Sequence, residues 1–323
     1  MADPLDPLGV LSTTRRVVER ARFVRIDADA VAQTAAALVD QQVAPPDWSH
    51  ELHWSDGREA LANYILVLDA TNFCFWGEPR WRVAYRGRRY DGYWALAAAL
   101  KRALERGVPL TDAGYLAAIS RDEVASIFAG EGEIPLLDER VAILQETGRV
   151  LRDRYAGRFS QAIEQAGRSA VSLVRIIAED FPSFRDVAYY DGEPVYFYKR
   201  AQILVGDLAG AFGGRDLGAF EDLDALTAFA DYKVPQVLHH LGMLRYAPEL
   251  RDRLARRALL PAGSPEEVEI RAATIWGVEA LRRALAERGR PLAAYQVDWL
   301  LWNAGQSLPA DALPYHRTRT IFY

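Results

Sequence analysis

The 323-residue sequence contains a single cysteine, Cys74, and no long apolar run. One cysteine excludes an internal disulfide and a zinc site built from cysteines. The most hydrophobic segment, residues 64–76, is interrupted by Asp69 and Asn72 and is too short to span a bilayer. Residues 1–10 have acids and prolines but no apolar stretch, which argues against a signal peptide. We expect a cytoplasmic protein with no membrane partner.

The sequence also lacks the excess positive charge that is typical of nucleic-acid-binding proteins. Its net charge is −5 and its pI is near 5.7, so we expect no stable nucleic-acid complex, although a few local cations can still hold a small anion. No two of the five histidines have the H-x-x-x-H spacing of a helical metal site. Phosphate-binding glycine loops and a G-x-S-x-G elbow are missing as well. We therefore predict no cofactor and no metal.

Helical periodicity is the dominant pattern that is present. In residues 264–289, Ser264 is the expected N-cap, Pro265 the first helical residue, Glu267 the partner in a capping box and Gly289 the stop. Residues 80–94 and 187–198 alternate between polar and apolar and contain turn residues, which predicts two small β-hairpins. We predict a mainly α protein with one globular domain over residues 1–323.

Aromatic residues cluster beside polar ones in residues 71–76, 196–202 and 297–305. A hydrophobic core is the default interpretation of any one such segment. Two features favour a functional role over a purely structural one. Lys199 begins a predicted helix, where the dipole disfavours a cation, and Asp298 lies among apolar residues, where an unpaired carboxylate is costly. Acids, a lysine and flat rings together are suited to binding a heterocyclic base on a charged sugar.

Long segments such as "YFYKRAQILVGDL" and "FADYKVPQVLHHLGML" resemble the queuosine salvage family, the queuosine 5′-phosphate N-glycosylases that release the base queuine. The similar segments are residues 71–76, 85–111, 196–208, 229–244, 267–281 and 314–323. They run from about residue 50 to the C-terminus, and residues 1–50 match weakly. The resemblance implies an all-helical relative of the helix-hairpin-helix DNA glycosylases, although no clear G-hydrophobic-G hairpin motif precedes Asp231.

The resemblance places the catalytic acid at Asp231, just outside a helix whose first turn contains Pro235. A carboxylate there would stabilise positive charge on the sugar, and an ordinary N-cap role fits the same position. Lys199 is the second catalytic candidate, for phosphate binding or an ion pair with Asp231 rather than for a Schiff base. The residues expected to bind the base are His53, Asn72, Phe75, Trp76, Phe229, Tyr232, Asp298, Trp299 and Asn303. The candidate phosphate ligands are Lys199, Arg200, Lys233, His316 and Arg317.

Asp298 has a structural alternative, which is a salt bridge to Arg271 or Arg319. The expected partners of the protein are a small-molecule nucleotide and the product queuine. Two other functions stay open: a non-catalytic binding protein for a modified base or tRNA, and a DNA glycosylase. The sequence leaves undecided whether the substrate is a nucleoside or a nucleotide, and which position carries the phosphate.

Overall fold

The computed structural model describes residues 6–45, 47–48, 50–56 and 60–323. Within these residues the chain forms fourteen α-helices and six short strands, which confirms the prediction of a mainly α protein. The helices are α1 (Val10–Arg20), α2 (Ala28–Asp40), α3 (Ala60–Ala70), α4 (Gly92–Glu105), α5 (Ala113–Ala118), α6 (Arg121–Ile127), α7 (Leu137–Tyr155), α8 (Phe159–Gln165), α9 (Ala170–Asp180), α10 (Lys199–Ala211), α11 (Lys233–His240), α12 (Pro248–Ala255), α13 (Pro265–Glu287) and α14 (Ala294–Ala304).

The strands form antiparallel pairs. Two pairs are the predicted hairpins: β2 (Arg82–Tyr85) with β3 (Arg88–Asp91), and β4 (Val187–Tyr190) with β5 (Glu193–Tyr196). Asp191 and Gly192 form the second turn with positive φ angles of 49° and 80°, as expected for an Asp-Gly hairpin turn. The third pair joins β1 (Val24–Ile26) to β6 (Leu244–Tyr246) and has no local signal in the sequence.

The chain divides into two compact units. Unit 1 comprises Met1–Pro46, Asp186–Gln202 and Asp222–Arg319, and unit 2 comprises Asp47–Arg185, Ile203–Glu221 and Thr320–Tyr323. The division describes the packing of the chain and does not measure independent folding, so a single domain over residues 1–323 stays a prediction.

Unit 1 is organised around the long helix α13, which is buried along most of its length and packs against α1, α2, α11 and α14. Ser264 caps α13 by accepting the N–H of Glu267, Pro265 is its first residue, and Gly289 follows its end with φ 77°, as predicted. The prediction of a capping box is wrong for one of its two hydrogen bonds, the one from the Ser264 N–H to the Glu267 carboxylate. The carboxylate of Glu267 accepts the N–H of Gly263, while the N–H of Ser264 donates to the Pro261 carbonyl.

Unit 2 is built around α3 and α7. Every residue of α3 from Leu61 to Ala70 is buried, and the amphipathic helix α7 packs against α3, α5 and α6. The β2–β3 hairpin packs on α4. Across the residues that the structure describes, no helix is long and apolar enough to cross a membrane, and no group of three or more His, Cys, Asp or Glu side chains is placed to hold a metal ion.

Candidate active site

Asp231 lies at the N-terminus of α11, just outside the helix, as predicted. Its Oδ1 accepts the backbone N–H groups of Lys233 at 2.8 Å and Val234 at 2.9 Å. Pro235 is the third residue of α11, in the first turn, where a missing N–H removes no intrahelical hydrogen bond. Asp231 is therefore a helix cap, and its side chain is also buried.

Lys199 begins α10, as expected, and is buried in unit 1, where its charge acts on Asp231. Burial raises the pKa of Asp231 above its ordinary value, and the positive charge of Lys199 and the two N–H groups at α11 act against that rise. A buried carboxylate beside a buried ammonium is suited to the stabilisation of charge that develops during a reaction, because the local dielectric is low.

Asp298 lies in the middle of α14 and is almost fully buried. Its Oδ1 accepts the backbone N–H of Phe229 at 2.9 Å. Burial raises the pKa of Asp298 well above its usual range, the negative charge of Asp231 raises it further, and the N–H of Phe229 and the charge of Lys199 oppose the shift. Two carboxyl groups and one ammonium thus interact within unit 1, and Asp298 is the carboxyl that keeps its proton more readily.

Arg271, one of the alternative partners considered for Asp298, is paired with another acid. Its Nη1 and Nη2 donate to the two carboxylate oxygens of Asp186 at 2.9 and 2.5 Å, and its Nε donates to the carbonyl of Ala230 at 3.1 Å. Asp186 also accepts the backbone N–H of Lys199 at 3.1 Å. Asp186 was not among the residues predicted from the sequence; the available signal was an isolated acid directly before a hairpin and close in sequence to Lys199.

The aromatic candidates of unit 1 differ in their environment. Phe229 is 1% exposed and therefore lies in the core, and the half-buried Tyr232 packs against Tyr315 with their ring centres 4.8 Å apart. Trp299 is half-buried and meets Tyr295 edge-on at 5.3 Å. Asn303 is exposed and lies about 140° around α14 from Asp298, so the structure does not bring these two side chains together.

The candidate phosphate ligands also differ. Arg200 and His316 are both buried, and burial lowers the pKa of His316 to about 3, so its imidazole is neutral at pH 7. Lys233 is half-buried, with its Nζ 3.4 Å from Gln236 Oε1. Arg317 is half-buried, and its carbonyl accepts the N–H of Leu260. Lys199 and Lys233 are the two cations whose charges act on Asp231.

Four predicted base-binding residues belong to unit 2. His53 is stacked on Trp48, and its Nδ1 lies 2.7 Å from the Trp48 carbonyl, while its Nε2 lies 2.8 Å from the Tyr93 hydroxyl. A carbonyl can only accept, so Nδ1 carries the proton and Nε2 accepts from Tyr93. Burial lowers the pKa of His53 to about 4, so the ring is neutral at pH 7.

The other three residues of this group lie directly after α3. Asn72 donates from Nδ2 to Asp69 Oδ1 at 3.2 Å, and Phe75 is stacked with Trp81 at 6.4 Å. Asn72, Phe75 and Trp76 are all buried. The roles expected for these three residues and for His53 stay predictions.

Unit 1 of this mainly helical chain thus contains a capped, buried carboxylate and a second buried carboxyl of raised pKa, and paired carboxyl groups are the residue types that most glycoside hydrolases use. A family model described as queuosine salvage protein matches residues 52–323. The chain belongs to the queuosine salvage protein family.

Curated relatives are similar over essentially the whole chain. A Sphaerobacter thermophilus protein is 77% identical over 323 residues, covering 100% of both chains. A Mus musculus protein is 39% identical, covering 98% of this chain and 99% of its own length, and a Dictyostelium discoideum protein is 36% identical, covering 99% and 100%. Each of the three is named queuosine 5′-phosphate N-glycosylase/hydrolase.

Proposed function

We propose that this chain hydrolyses the N-glycosidic bond of queuosine 5′-phosphate and releases queuine, which then becomes available for salvage into tRNA. The names of the full-length relatives support this reaction. The structural observation that carries the proposal is the buried Asp231, which is held at the start of α11 beside Lys199.

The proposed chemistry separates charge at the bond between sugar and base. The bonding electrons leave with the base nitrogen, and positive charge develops on the anomeric carbon and the ring oxygen. Both backbone N–H groups bond to Oδ1 of Asp231, which leaves Oδ2 for the sugar cation or for the attacking water. The water oxygen bonds to the anomeric carbon, and the water proton is lost to the carboxylate.

The leaving base cannot be protonated at the position that an ordinary purine uses. Queuine is a 7-deazaguanine, so a carbon replaces the nitrogen at which a purine leaving group is usually protonated. Burial raises the pKa of Asp298, and its Oδ1 accepts the Phe229 N–H, so Oδ2 is the oxygen on which the protonated carboxyl would carry its proton. We assign Asp298 to the guanine-like edge of the base, where Oδ2 can share a proton with the departing base.

Lys199 and Lys233 are assigned to the 5′-phosphate because both are cations close to Asp231. His316 is neutral, so it would contribute a hydrogen bond and not a charge. The 5′-nucleotide should exceed the bare nucleoside in kcat/KM by at least about tenfold, since one charge-assisted contact contributes roughly 1.5–3 kcal/mol. Steady-state rates on both substrates measure the ratio, which Lys199→Met should reduce. Equal kcat/KM for the two substrates would exclude a phosphate site.

The test of the reaction is release of free queuine by wild-type protein and by Asp231→Asn. Asparagine is nearly isosteric and still caps a helix, so the fold should be kept while turnover falls about a thousandfold or more. Asp112→Asn is the matched control, because Asp112 caps α5 by accepting the N–H of Tyr115 and is exposed. This control should retain wild-type turnover, and near-normal turnover by Asp231→Asn would reduce Asp231 to a cap.

The same assay separates the main alternative. A non-catalytic binding protein would bind the nucleotide or the base and would release no free queuine.

A relation to the helix-hairpin-helix DNA glycosylases also remains part of the proposal. The segment before Asp231 consists of a 3₁₀ turn at Leu223–Ala225 followed by residues outside regular secondary structure.

A further inference from the structure

We propose that Arg271 and Asp186 are positioning residues, a buried ion pair that fixes Lys199 and Asp231 relative to each other. The inference rests on the proposed function, because it takes Lys199 and Asp231 as the catalytic residues. Asp186, Lys199, Asp231 and Arg271 all belong to unit 1. Asp186 and Arg271 are 1% and 2% exposed, so this pair acts inside the protein and does not itself reach substrate.

Asp186 determines where α10 begins. Its Oδ2 accepts the N–H of Lys199 at 3.1 Å, and its carbonyl accepts the N–H groups of Phe197 at 3.1 Å and Tyr198 at 3.2 Å. A carboxylate at the start of a helix satisfies an N–H that has no partner within the helix. These three bonds fix the backbone from which the Lys199 side chain extends.

Arg271 fixes the backbone directly before Asp231. Its Nε donates to the carbonyl of Ala230, the residue directly before Asp231, while Nη1 and Nη2 hold Asp186. Its guanidinium lies 3.9 Å from the centre of the Phe197 ring, which restricts it further. Holding the Ala230 carbonyl sets the orientation of the peptide plane that leads into Asp231. One guanidinium therefore joins the Asp231 backbone to the acid that holds Lys199.

Stability alone is a weak explanation for such a pair. Removing two charges from water is costly, and apolar side chains of similar size often replace a buried ion pair without loss of stability. The hydrogen bonds of this pair end on Lys199 and next to Asp231, the two residues on which the proposed chemistry depends. The planar guanidinium donates two N–H groups to the two Asp186 oxygens and a third to the Ala230 carbonyl, and the compact, tetrahedral ammonium of lysine does not reproduce this geometry.

A double-mutant cycle tests the inference. Arg271→Lys and Asp186→Asn are made in the wild-type protein and in Asp231→Asn, and the steady-state rate of base release is measured over a range of substrate concentrations to give kcat and KM. In the wild-type background we expect each to lower kcat about 10- to 100-fold, because small misplacement of a catalytic group has effects of that size. The affinity for free queuine should change by less than about threefold, because the base-binding groups stay in place.

In the Asp231→Asn background the same substitutions should lower the rate by less than about threefold, because the group they position has already lost its charge. Glu279→Gln is the matched control: it removes a buried carboxylate from the same helix, where Glu279 pairs with Arg282 and Arg283. This control should leave kcat unchanged in both backgrounds, even if it lowers the melting temperature.

Equal fold losses of rate in both backgrounds would overturn the inference, because a residue that only supports the fold acts independently of Asp231. A rise in KM at unchanged kcat would also overturn it. Should Arg271→Lys fail to fold, the nearly isosteric Asp186→Asn completes the same cycle. Wild-type protein that released no base would refute the proposed function itself, whereas active wild-type protein with additive variants would refute only the positioning role.

Discussion

At the scale of single residues, the proposed contact of Asp298 with the base and its role in the fold, which the sequence presented as alternatives, are compatible. The sequence suggested that it either binds the base or supports the fold through an arginine. The structure shows support of another kind, a hydrogen bond from the backbone N–H of Phe229 to Oδ1. This bond uses one oxygen of a buried carboxyl and leaves the other for a ligand.

Substitutions at Asp298 should separate these two tasks. Asp298→Ala leaves the buried N–H of Phe229 without an acceptor, so the free energy of unfolding without ligand should fall by about 1–3 kcal/mol. Asp298→Asn retains an acceptor and should lose much less. Both variants should bind queuine more weakly if Oδ2 reads the base. Denaturant titration and calorimetry measure the two effects, and equal destabilisation by both variants would contradict this division of roles.

The raised pKa of Asp298 also predicts a pH dependence of stability. Between the ordinary aspartate pKa of 3.8 and the higher folded value, the unfolded chain has lost the proton that the folded protein retains. Stability from this group is therefore fully present below pH 3.8 and is lost as pH rises through the folded pKa. Asp298→Asn removes that loss, so its unfolding free energy relative to wild type should rise with pH. A constant difference from pH 4 to 8 would show that burial does not shift this carboxyl.

At the scale of elements, two glycines inside helices show opposite constraints. Gly148 lies in α7 where it crosses α5, and a Cβ there would be 2.2 Å from Ala117 N and 2.7 Å from the Ala113 carbonyl oxygen. Gly277 lies in α13, and a Cβ there would meet Leu238 and Leu244 at ordinary distances of 3.4 and 3.6 Å. Of these two positions, close approach of the backbone requires glycine at Gly148 and not at Gly277.

Alanine substitutions at these glycines should therefore change stability in opposite directions. Gly148→Ala should destabilise the protein by about 1–3 kcal/mol or more, because backbone atoms of α5 would have to move. Gly277→Ala should stabilise it by up to about 1 kcal/mol, since alanine has the higher helix propensity and its methyl group would make ordinary van der Waals contacts. Chemical unfolding of both variants provides the comparison. Similar effects of the two substitutions would mean that helix propensity outweighs packing at the crossing.

At the scale of the whole molecule, local sequence patterns predicted helix ends and hairpins, whereas pairings between residues far apart in the sequence could not be predicted. The two ends of α13, the two hairpins and the place of Asp231 outside α11 follow from neighbouring residues, so the sequence was sufficient for them. The β1–β6 pair joins Val24 to Tyr246, and no local signal specifies that contact. The Arg271–Asp186 pair likewise depends on tertiary packing between residues 85 positions apart.

Each of the two units contains a buried histidine whose pKa is lowered. Burial lowers the pKa of His53 to about 4 and that of His316 to about 3. In the unfolded chain an imidazole titrates near pH 6.5, so on acidification the unfolded state binds protons that the folded state does not bind. Stability from each group is therefore present above pH 6.5 and is lost as pH falls toward the folded pKa.

Replacing either histidine should make the protein less sensitive to acid. Each should contribute a slope of about 1 kcal/mol per pH unit to the unfolding free energy between pH 6 and 5, which His53→Gln or His316→Gln would remove. The buried carboxyls Asp231 and Asp298 have the opposite sign, so the comparison is made between each variant and wild type at every pH. His240→Gln, a change at an exposed histidine, is the control and should leave the slope as it is. Wild-type slopes in both buried-histidine variants would show that these imidazoles become charged inside the folded protein, and His316 would then be available as a cation for the phosphate.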